Sequence, residues 1–230
     1  MMRIPRDVAT DKTFTEADYN PIILSEALGH SSKAYQYSKT ISKQKSWAYM
    51  ASNKPHFDPI FVLAPIITGR SPQQDYVPPR GDRLVGIART LSYLFGVREW
   101  TFYFPYFMWV FTALPLETQP CQLIGLSCSR DVDDIARTHI KALEPSAPGN
   151  ERYMINSGLL YLNRIANHLR DKYPELRSRI APGAEEEGLP EPMAKFDVSK
   201  MERVFGTDWV SGFDSVEAVV KNLLAYEAVH

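Results

Sequence analysis

Residues 60–69 have the sequence Ile-Phe-Val-Leu-Ala-Pro-Ile-Ile-Thr-Gly, and this segment sets the expected architecture. Its first eight residues carry no polar side chain at either odd or even positions, which is typical of a strand covered on both faces. Such strands occur in parallel sheets that lie between two layers of helices. Gly69 and Pro72 then open a polar loop. The sequence therefore predicts an α/β protein with a parallel sheet.

Helix-forming segments lie on both sides of this strand. We predict helices at residues 34–52, 131–143, 160–173 and 198–205 and a last helix capped by Ser215. Within the segment 131–143, the apolar spacing predicts that Ile135, Ile140 and Leu143 face the core. His139 falls on the same stripe, which favours a core histidine over a metal ligand.

The composition is that of a globular protein. Of the 230 residues 44% are hydrophobic, and 26 basic and 27 acidic side chains leave a formal net charge of −1. This composition excludes a disordered tail and argues against nucleic acid as the main partner, because phosphate binding requires a basic surplus. Cys121 and Cys128 are too few for a disulfide framework and lack zinc-ligand spacing. We therefore expect no metal site and a cytoplasmic location. Residues 1–7 mix charged with apolar side chains and hold no continuous apolar run, so we also expect no secretory signal.

An unusual segment separates the two halves of the chain. Residues 100–116 contain no charged side chain over 17 positions and include many aromatic residues. A transmembrane helix needs about 20 apolar residues, and Pro105 and Pro115 interrupt this run. The segment is therefore predicted to belong to an insertion, with a membrane-associated segment as the alternative.

Tyr35 and Lys39 form the pair that could carry chemistry. A spacing of four residues in a helix puts both side chains on one face, one turn apart. A tyrosine can donate its phenolic proton to a carbonyl oxygen when a neighbouring positive charge makes the phenol more acidic. A pair with this spacing also arises by chance, as an exposed lysine beside a half-buried tyrosine, so the surrounding sequence has to decide.

The surrounding segments resemble a known family. Residues 34–39, Ala-Tyr-Gln-Tyr-Ser-Lys, with Trp47 on the same helix, resemble the catalytic helix of the extended short-chain dehydrogenases/reductases in the NAD-dependent epimerase/dehydratase superfamily. The similar branch contains dihydroflavonol reductases, cinnamoyl-CoA reductases and fungal ketoreductases. Further segments that resemble this branch are Thr-Glu-Ala-Asp-Tyr-Asn-Pro at 15–21, Ala-Pro-Ile-Ile-Thr-Gly at 64–69, Asp-Val-Asp-Asp-Ile-Ala at 131–136, Tyr-Pro-Glu-Leu at 173–176 and Phe-Asp at 196–197.

The resemblance implies a function and assigns roles to three residues. The function is an NADP(H)-dependent reduction of a ketone or aldehyde, a small-molecule carbonyl substrate, in fungal secondary-metabolite (polyketide) biosynthesis. Tyr35 would be the proton donor, and Lys39 would hold the cofactor ribose and make Tyr35 more acidic. Pro65 would line the nicotinamide side of the cofactor site. The oligomeric state is left open.

The resemblance also implies an unusual domain organisation. The family binds the cofactor pyrophosphate on a Gly-x-Gly-x-x-Gly loop, and this pattern is absent from the 230 residues. We therefore expect the C-terminal part of a Rossmann-like fold, with the N-terminal dinucleotide-binding half missing. Residues 1–80 would form the catalytic-helix part, 81–128 an unmatched insertion that is either a divergent lid or translated non-coding sequence, and 129–230 a mostly helical substrate-side region.

Two functions stay open at this point. The chain is either a ketoreductase or a non-catalytic remnant or binding module of the same family. The family's third catalytic residue, a serine or threonine, has no clear match, because Ser31 and Ser32 lie too close to the start of the helix and are interpreted as loop or capping residues.

Overall fold

A computed structural model of the chain describes residues 10–29, 31–70, 129–158, 162–178, 180 and 194–229. The strands are β1 (Thr13–Phe14), β2 (Ile60–Leu63), β3 (Ile66–Thr68), β4 (Ser129–Asp131), β5 (Glu151–Met154) and β6 (Lys195–Phe196). The helices are α1 (Leu24–Ala27), α2 (Ser31–Asn53), α3 (Val132–Lys141), α4 (Leu162–Lys172), α5 (Ser199–Phe205) and α6 (Gly212–Val229), with a 3₁₀ turn at Pro174–Leu176.

The strands of the described part form three parallel pairs. β2 pairs with β5, β3 with β4 and β1 with β6. Each pair joins strands that are far apart in sequence, so a helix or a long segment crosses between them, as parallel pairing requires. The predicted α/β class with parallel strands is confirmed.

The strand predicted at residues 60–67 is two strands rather than one. β2 ends at Leu63, β3 begins at Ile66, and Ala64 and Pro65 lie between them outside the ladder. Proline has no N–H to donate to a ladder, which explains the break. The prediction that this segment is covered on both faces was also wrong in part, since Ile67 is 45% exposed. Among the described residues β2 has one neighbouring strand, so its second edge is not paired.

Two apolar clusters form the core. The first joins α4, the 3₁₀ turn and α6 through Ile165, Ala166, Leu169, Leu176, Ile180, Val216, Val219 and Val220. The second lies where β5 meets α3 and α5 and contains Ile135, Tyr153, Ile155, Met201 and Phe205. Inside it the rings of Tyr153 and Phe205 pack edge to face, with centroids 4.9 Å apart. These clusters fix α3, α5 and α6 against the parallel strands.

Helix α3 buries Ile135, as its apolar spacing predicts, but not Ile140 or Leu143. Asp134, Ile135 and Thr138 are buried, whereas Ile140 is 67% and Leu143 86% exposed. The reason is that the buried face is polar and satisfied internally. Asp134 accepts hydrogen bonds from Arg137 and from the Val210 amide, and the Thr138 hydroxyl donates to the Asp134 carbonyl.

His139 is accordingly not a core residue. It lies on the exposed side of α3, and its ring Nδ1 is 2.7 Å from the Ile135 carbonyl oxygen. Because that oxygen accepts, Nδ1 carries the proton in this bond.

Several predictions fall outside the described residues. These are the insertion at 81–128, the uncharged run at 100–116 and both cysteines, Cys121 and Cys128. Within the part of the chain that the structure describes, no helix combines the length and the apolar character needed to cross a membrane.

Candidate active site

Helix α2 carries the predicted catalytic pair on its exposed face. Gln36, Tyr37 and Trp47 turn inward, whereas Tyr35 and Lys39 point away from the core. The helix ends where Lys54 adopts a left-handed conformation (φ 44°), its amide donates to the Met50 carbonyl, and Pro55 follows. This ending is a common way to satisfy the last carbonyls of a helix. The predicted catalytic pair therefore lies on a long helix of 23 residues.

Tyr35 and Lys39 lie side by side, as the spacing predicts. The Lys39 Nζ is 5.4 Å from the centroid of the Tyr35 ring, and 52% of Tyr35 is exposed. Ser38 packs into the same turn, because its hydroxyl donates to the Tyr35 carbonyl at 2.8 Å. Among the described residues Lys39 has no carboxylate partner. Both polar groups are thus open to a ligand that approaches this face of α2.

The loop before α2 is held against the inner face of the helix. Asn20 is buried and its side-chain amide donates to Gln36 at 2.9 Å. The Trp47 indole N–H donates to the Tyr19 hydroxyl at 3.2 Å, and the Trp47 ring packs edge to face on Phe61 of β2 at 4.9 Å. These contacts tie α2 to both the loop and the sheet, which fixes the direction in which Tyr35 and Lys39 point.

Pro65 lies at the junction of β2 and β3 and is half-buried. The strands on either side of it are anchored by different partners, since the Leu63 carbonyl accepts from Ile155 at 3.4 Å and Ile66 pairs with Ser129. In the described part of the chain no hydrogen bond or ring contact joins Pro65 to Tyr35 or Lys39. The structure therefore brings together two of the three predicted site residues, and the role of Pro65 stays a prediction.

A buried polar cluster holds the end of β3, and the sequence did not reveal it. The hydroxyls of Thr68 and Ser215 are 2.5 Å apart, and the Ser215 hydroxyl donates to the Asp131 carboxylate at 2.6 Å. All three side chains are at least 95% buried. A side chain at Gly69 would collide with this carboxylate, and Gly69 also has a φ of 108°. The close approach and the left-handed backbone together require glycine there.

Ser215 is consequently not the cap of the last helix. Helix α6 begins at Gly212, one turn earlier than predicted, and the Ser211 hydroxyl accepts from the Asp214 amide at 3.1 Å. Ser211 is therefore the residue that caps α6. Ser215 lies inside the helix and faces the sheet because Asp131 and Thr68 offer it two buried partners.

An open cavity of about 480 Å³ lies elsewhere, along the C-terminal half of α2. Its lining residues are Lys45, Ser46, Tyr49, Met50, Phe57, Pro59 and Phe61. Neither Tyr35 nor Lys39 is among these residues, and the nearest of them on the helix, Lys45, follows Lys39 by six residues, or about 9 Å along a helix. The cavity therefore does not contain the predicted catalytic pair.

Among the residues that the structure describes, His, Cys, Asp and Glu side chains form no group of three that could hold a metal ion.

The fold matches solved reductases over almost the whole chain. Gre2 from Candida albicans superposes with a TM-score of 0.76 at 20% identity, covering 96% of this chain and 61% of Gre2. A second structure of that protein, in complex with NADPH, gives a TM-score of 0.73 at 20% identity over 97% of this chain and 60% of the other. Vestitone reductase from alfalfa gives 0.65 at 19% identity, over 97% of this chain and 63% of the other. The chain has the fold of the extended short-chain dehydrogenases/reductases. The resemblance inferred from the sequence is thereby confirmed.

The curated proteins that resemble this chain in sequence include several that are named as reductases. The ketoreductase azaE of Aspergillus niger is 25% identical over 195 residues, which cover 85% of this chain and 52% of azaE. The ketoreductase sphI of Aspergillus fumigatus is 22% identical, over 86% of this chain and 51% of sphI. Tetraketide alpha-pyrone reductase 1 of Arabidopsis thaliana is 28% identical, over 62% of this chain and 34% of the relative. No family model matches the chain. The chain spans about half the length of the first two relatives.

Proposed function

We propose that the chain contributes to an NADPH-dependent ketoreductase that reduces a ketone or an aldehyde to an alcohol. The observation that carries this proposal is the exposed Tyr35–Lys39 pair on one face of α2, within an extended short-chain reductase fold. The names of the relatives support the reaction class, since two of them are ketoreductases. The NADPH complex of Gre2 supports the choice of cofactor.

The residues of the pair fit such a cofactor. An ammonium group without a carboxylate partner can donate to ribose hydroxyls, and Lys39 is free to do so among the described residues. When bound, the cofactor would supply the hydride. Pro65, which lacks an N–H and interrupts the strand, would present a flat apolar surface to the nicotinamide side.

The proton comes from the protein in this mechanism. The substrate carbonyl oxygen accepts a hydrogen bond from the Tyr35 hydroxyl and takes its proton as the carbonyl carbon gains the hydride. The O–H bond of Tyr35 breaks and the alcohol O–H bond forms, which leaves a phenolate. The positive charge of Lys39 stabilises this phenolate from one turn away. Solvent returns the proton to Tyr35, because the side chain is half-exposed.

The substrate class is drawn from the relatives. A polyketide or another secondary metabolite with a ketone or aldehyde group agrees with the presence of a tetraketide pyrone reductase and two fungal ketoreductases among them. We propose a cytoplasmic location, because only two cysteines are present in the 230 residues.

One observation favours a second candidate, a binding module without catalysis. The 230 residues contain no Gly-x-Gly-x-x-Gly pattern, and short-chain reductases use such a loop to cradle the cofactor pyrophosphate. A chain of these residues alone would then keep the fold and a substrate-facing surface without holding NADPH.

A titration of the purified chain with NADPH separates the two candidates. NADPH fluorescence should change saturably on binding, and the absorbance of the cofactor should fall when a ketone or aldehyde is added. Saturable binding without turnover would favour the binding module. If NADPH neither binds nor is consumed, the reductase function is rejected for this chain.

A further inference from the structure

The outer edge of β2 is open among the residues that the structure describes. β2 has β5 as its neighbour on one side, where the carbonyls of Pro59 and Leu63 accept hydrogen bonds at 3.2 and 3.4 Å. Along a parallel strand, successive residues direct their backbone N–H and C=O groups to opposite edges. The backbone groups of Ile60 and Val62 therefore point to the second edge, which no described strand occupies.

This edge belongs to a strand with an interior composition. All four residues of β2, Ile-Phe-Val-Leu at 60–63, are half-buried and uncharged, and Ile60 and Val62 pack on the apolar cluster that contains Tyr153. Backbone N–H and C=O groups away from water are nearly always paired. Free strand edges usually carry a lysine or a proline that discourages a further strand. β2 has neither at residues 60–63, so its composition favours a partner strand.

The outer edge of β5, in contrast, is covered by the chain itself. The Met154 amide points away from β2 and donates to the Glu16 carboxylate at 3.1 Å. On the same strand, the Arg152 guanidinium carbon lies 3.7 Å from the centroid of the Tyr19 ring. Glu16 and Tyr19 both belong to the loop before α2. In the described part of the chain, β2 is therefore the open side of this sheet.

The position of α2 indicates which kind of strand fits. α2 packs on β2 through the edge-to-face contact of Trp47 with Phe61, at 4.9 Å, and the short loop at 54–59 joins the two elements. A helix that leads into a parallel strand commonly follows another parallel strand of the same sheet. The described strand before α2 is β1, and it pairs with β6 instead. A strand parallel to β2 would complete the unit.

An aromatic surface lies next to this edge. The cavity between α2 and the start of β2 is lined by Tyr49, Phe57 and Phe61, among others, and 55% of Tyr49 and 53% of Phe57 are exposed. Exposed apolar groups that adjoin one another are typical of a surface that another protein segment covers. A partner that adds a strand to β2 could bury these rings with the helix that follows the strand.

We propose that the open edge of β2 and the adjoining aromatic cavity form the docking surface for the dinucleotide-binding half of a short-chain reductase fold. Gre2, which is solved in complex with NADPH, supports this partner, because the chain covers 96% of its own length but 61% of Gre2. Such a half carries the glycine-rich loop that the 230 residues lack. The proposal rests on strand topology, so it does not require that the chain itself is catalytic.

Amide hydrogen exchange of the 230-residue chain tests the open edge. In the chain alone, the amides of Ile60 and Val62 should exchange about tenfold or more faster than those of Phe61 and Leu63, which face β5. Equal protection of all four amides, whether by the chain's own residues or by a second copy, would overturn the proposal.

Co-expression with a partner tests the docking. The partner is the part of Candida albicans Gre2 that lies outside the match to this chain. Size-exclusion chromatography should show a one-to-one complex, in which the exchange of the Ile60 and Val62 amides slows by about tenfold or more. Separate elution of the two proteins, or a complex in which these amides exchange as before, would overturn the proposal.

Substitution of Val62 locates the contact. Val62→Pro removes the N–H that points to the open edge and spares the hydrogen bonds to β5, so circular dichroism should stay unchanged while the complex weakens by about tenfold or more. Val62→Ala shortens the side chain but keeps the N–H, and it should bind like the wild type. Equal binding of the two variants would contradict the site. A complex that leaves NADPH and a ketone unconsumed would reject the proposed catalysis and keep the docking surface.

Discussion

The spacing of Tyr35 and Lys39 on one helix sets the relative position of their side chains. Their spacing predicted a shared helix face, and the 5.4 Å separation of the Lys39 ammonium from the Tyr35 ring agrees with it. The contact of Arg152 with Tyr19 illustrates the limit of such reasoning. The two residues lie on β5 and in the loop before α2, far apart in sequence, yet the Arg152 guanidinium carbon is 3.7 Å from the centroid of the Tyr19 ring. Local periodicity carries no information about such a pair.

The charge of Lys39 can be tested by substitution. Lys39→Met keeps the length of the side chain and removes the charge, so it should weaken NADPH affinity and lower kcat, each by about tenfold or more. The affinity is measured by fluorescence titration and kcat by cofactor consumption. Lys45→Met serves as the control, because Lys45 is exposed on the same helix. Equal effects of the two substitutions would show that Lys39 has no special role.

Helices and strands were predicted better in position than in orientation. The helices expected at 131–143 and 160–173 are α3 and α4, displaced by one or two residues at their ends. The predicted core face of α3 was right at Ile135 and wrong at Ile140 and Leu143, because the hydrogen bonds of Asp134 hold a polar side of the helix inside. An apolar pattern identifies a buried face only where polar side chains cannot satisfy each other inside.

The buried hydrogen bonds of Ser215 on helix α6 can be tested by substitution. Ser215→Ala removes the donor to Asp131 and the contact with Thr68, so the free energy of unfolding should fall by about 1–3 kcal/mol. Denaturant unfolding measures this loss. Amide exchange of Asp214 should stay slow in this variant, because its partner is Ser211.

Ser211→Ala is the matched variant. It should cost about 1 kcal/mol, the typical contribution of a capping residue, and it should speed the exchange of the Asp214 amide. Faster exchange of Asp214 in Ser215→Ala, with no effect of Ser211→Ala, would restore Ser215 as the cap.

For the molecule as a whole, the α/β class with parallel strand pairs followed from the sequence. The contacts that lock the helices together did not. Glu217 of α6 is buried, and its Oε1 lies 2.7 Å from His168 Nε2 and 2.5 Å from Lys172 Nζ, both on α4. A buried carboxylate with two partners on another helix contradicts the simple rule that charges lie outside, and it is stable because it is fully paired.

This pairing predicts how the stability of the fold depends on pH. Burial by itself would raise the pKa of Glu217, but the hydrogen bonds from Lys172 and His168 outweigh burial, so the pKa is lowered. A lowered pKa in the folded state stabilises the protein above the ordinary glutamate pKa of about 4.3, and this contribution disappears as the pH falls through the folded value. Glu217→Gln should therefore lower the free energy of unfolding by about 1–3 kcal/mol at pH 7.

The difference between Glu217→Gln and the wild type should shrink as the pH falls below about 4. Denaturant unfolding at a series of pH values measures it. Glu175→Gln, at an exposed position beside α4, is the control and should match the wild type throughout. A difference that is the same at pH 3 and pH 7 would show that the charge of Glu217 is not the cause.

We propose Tyr35 as the proton donor of a carbonyl reductase, and removal of its hydroxyl is the decisive test of this role. Steady-state reduction of a ketone by NADPH is compared for the wild type, Tyr35→Phe and Tyr49→Phe, since Tyr49 is a similarly exposed tyrosine of α2. Tyr35→Phe should lower kcat by about 100-fold or more, as expected for loss of a general acid, with NADPH affinity and circular dichroism unchanged. Tyr49→Phe should keep full activity. A Tyr35→Phe chain that turns over at the wild-type rate would contradict the claim.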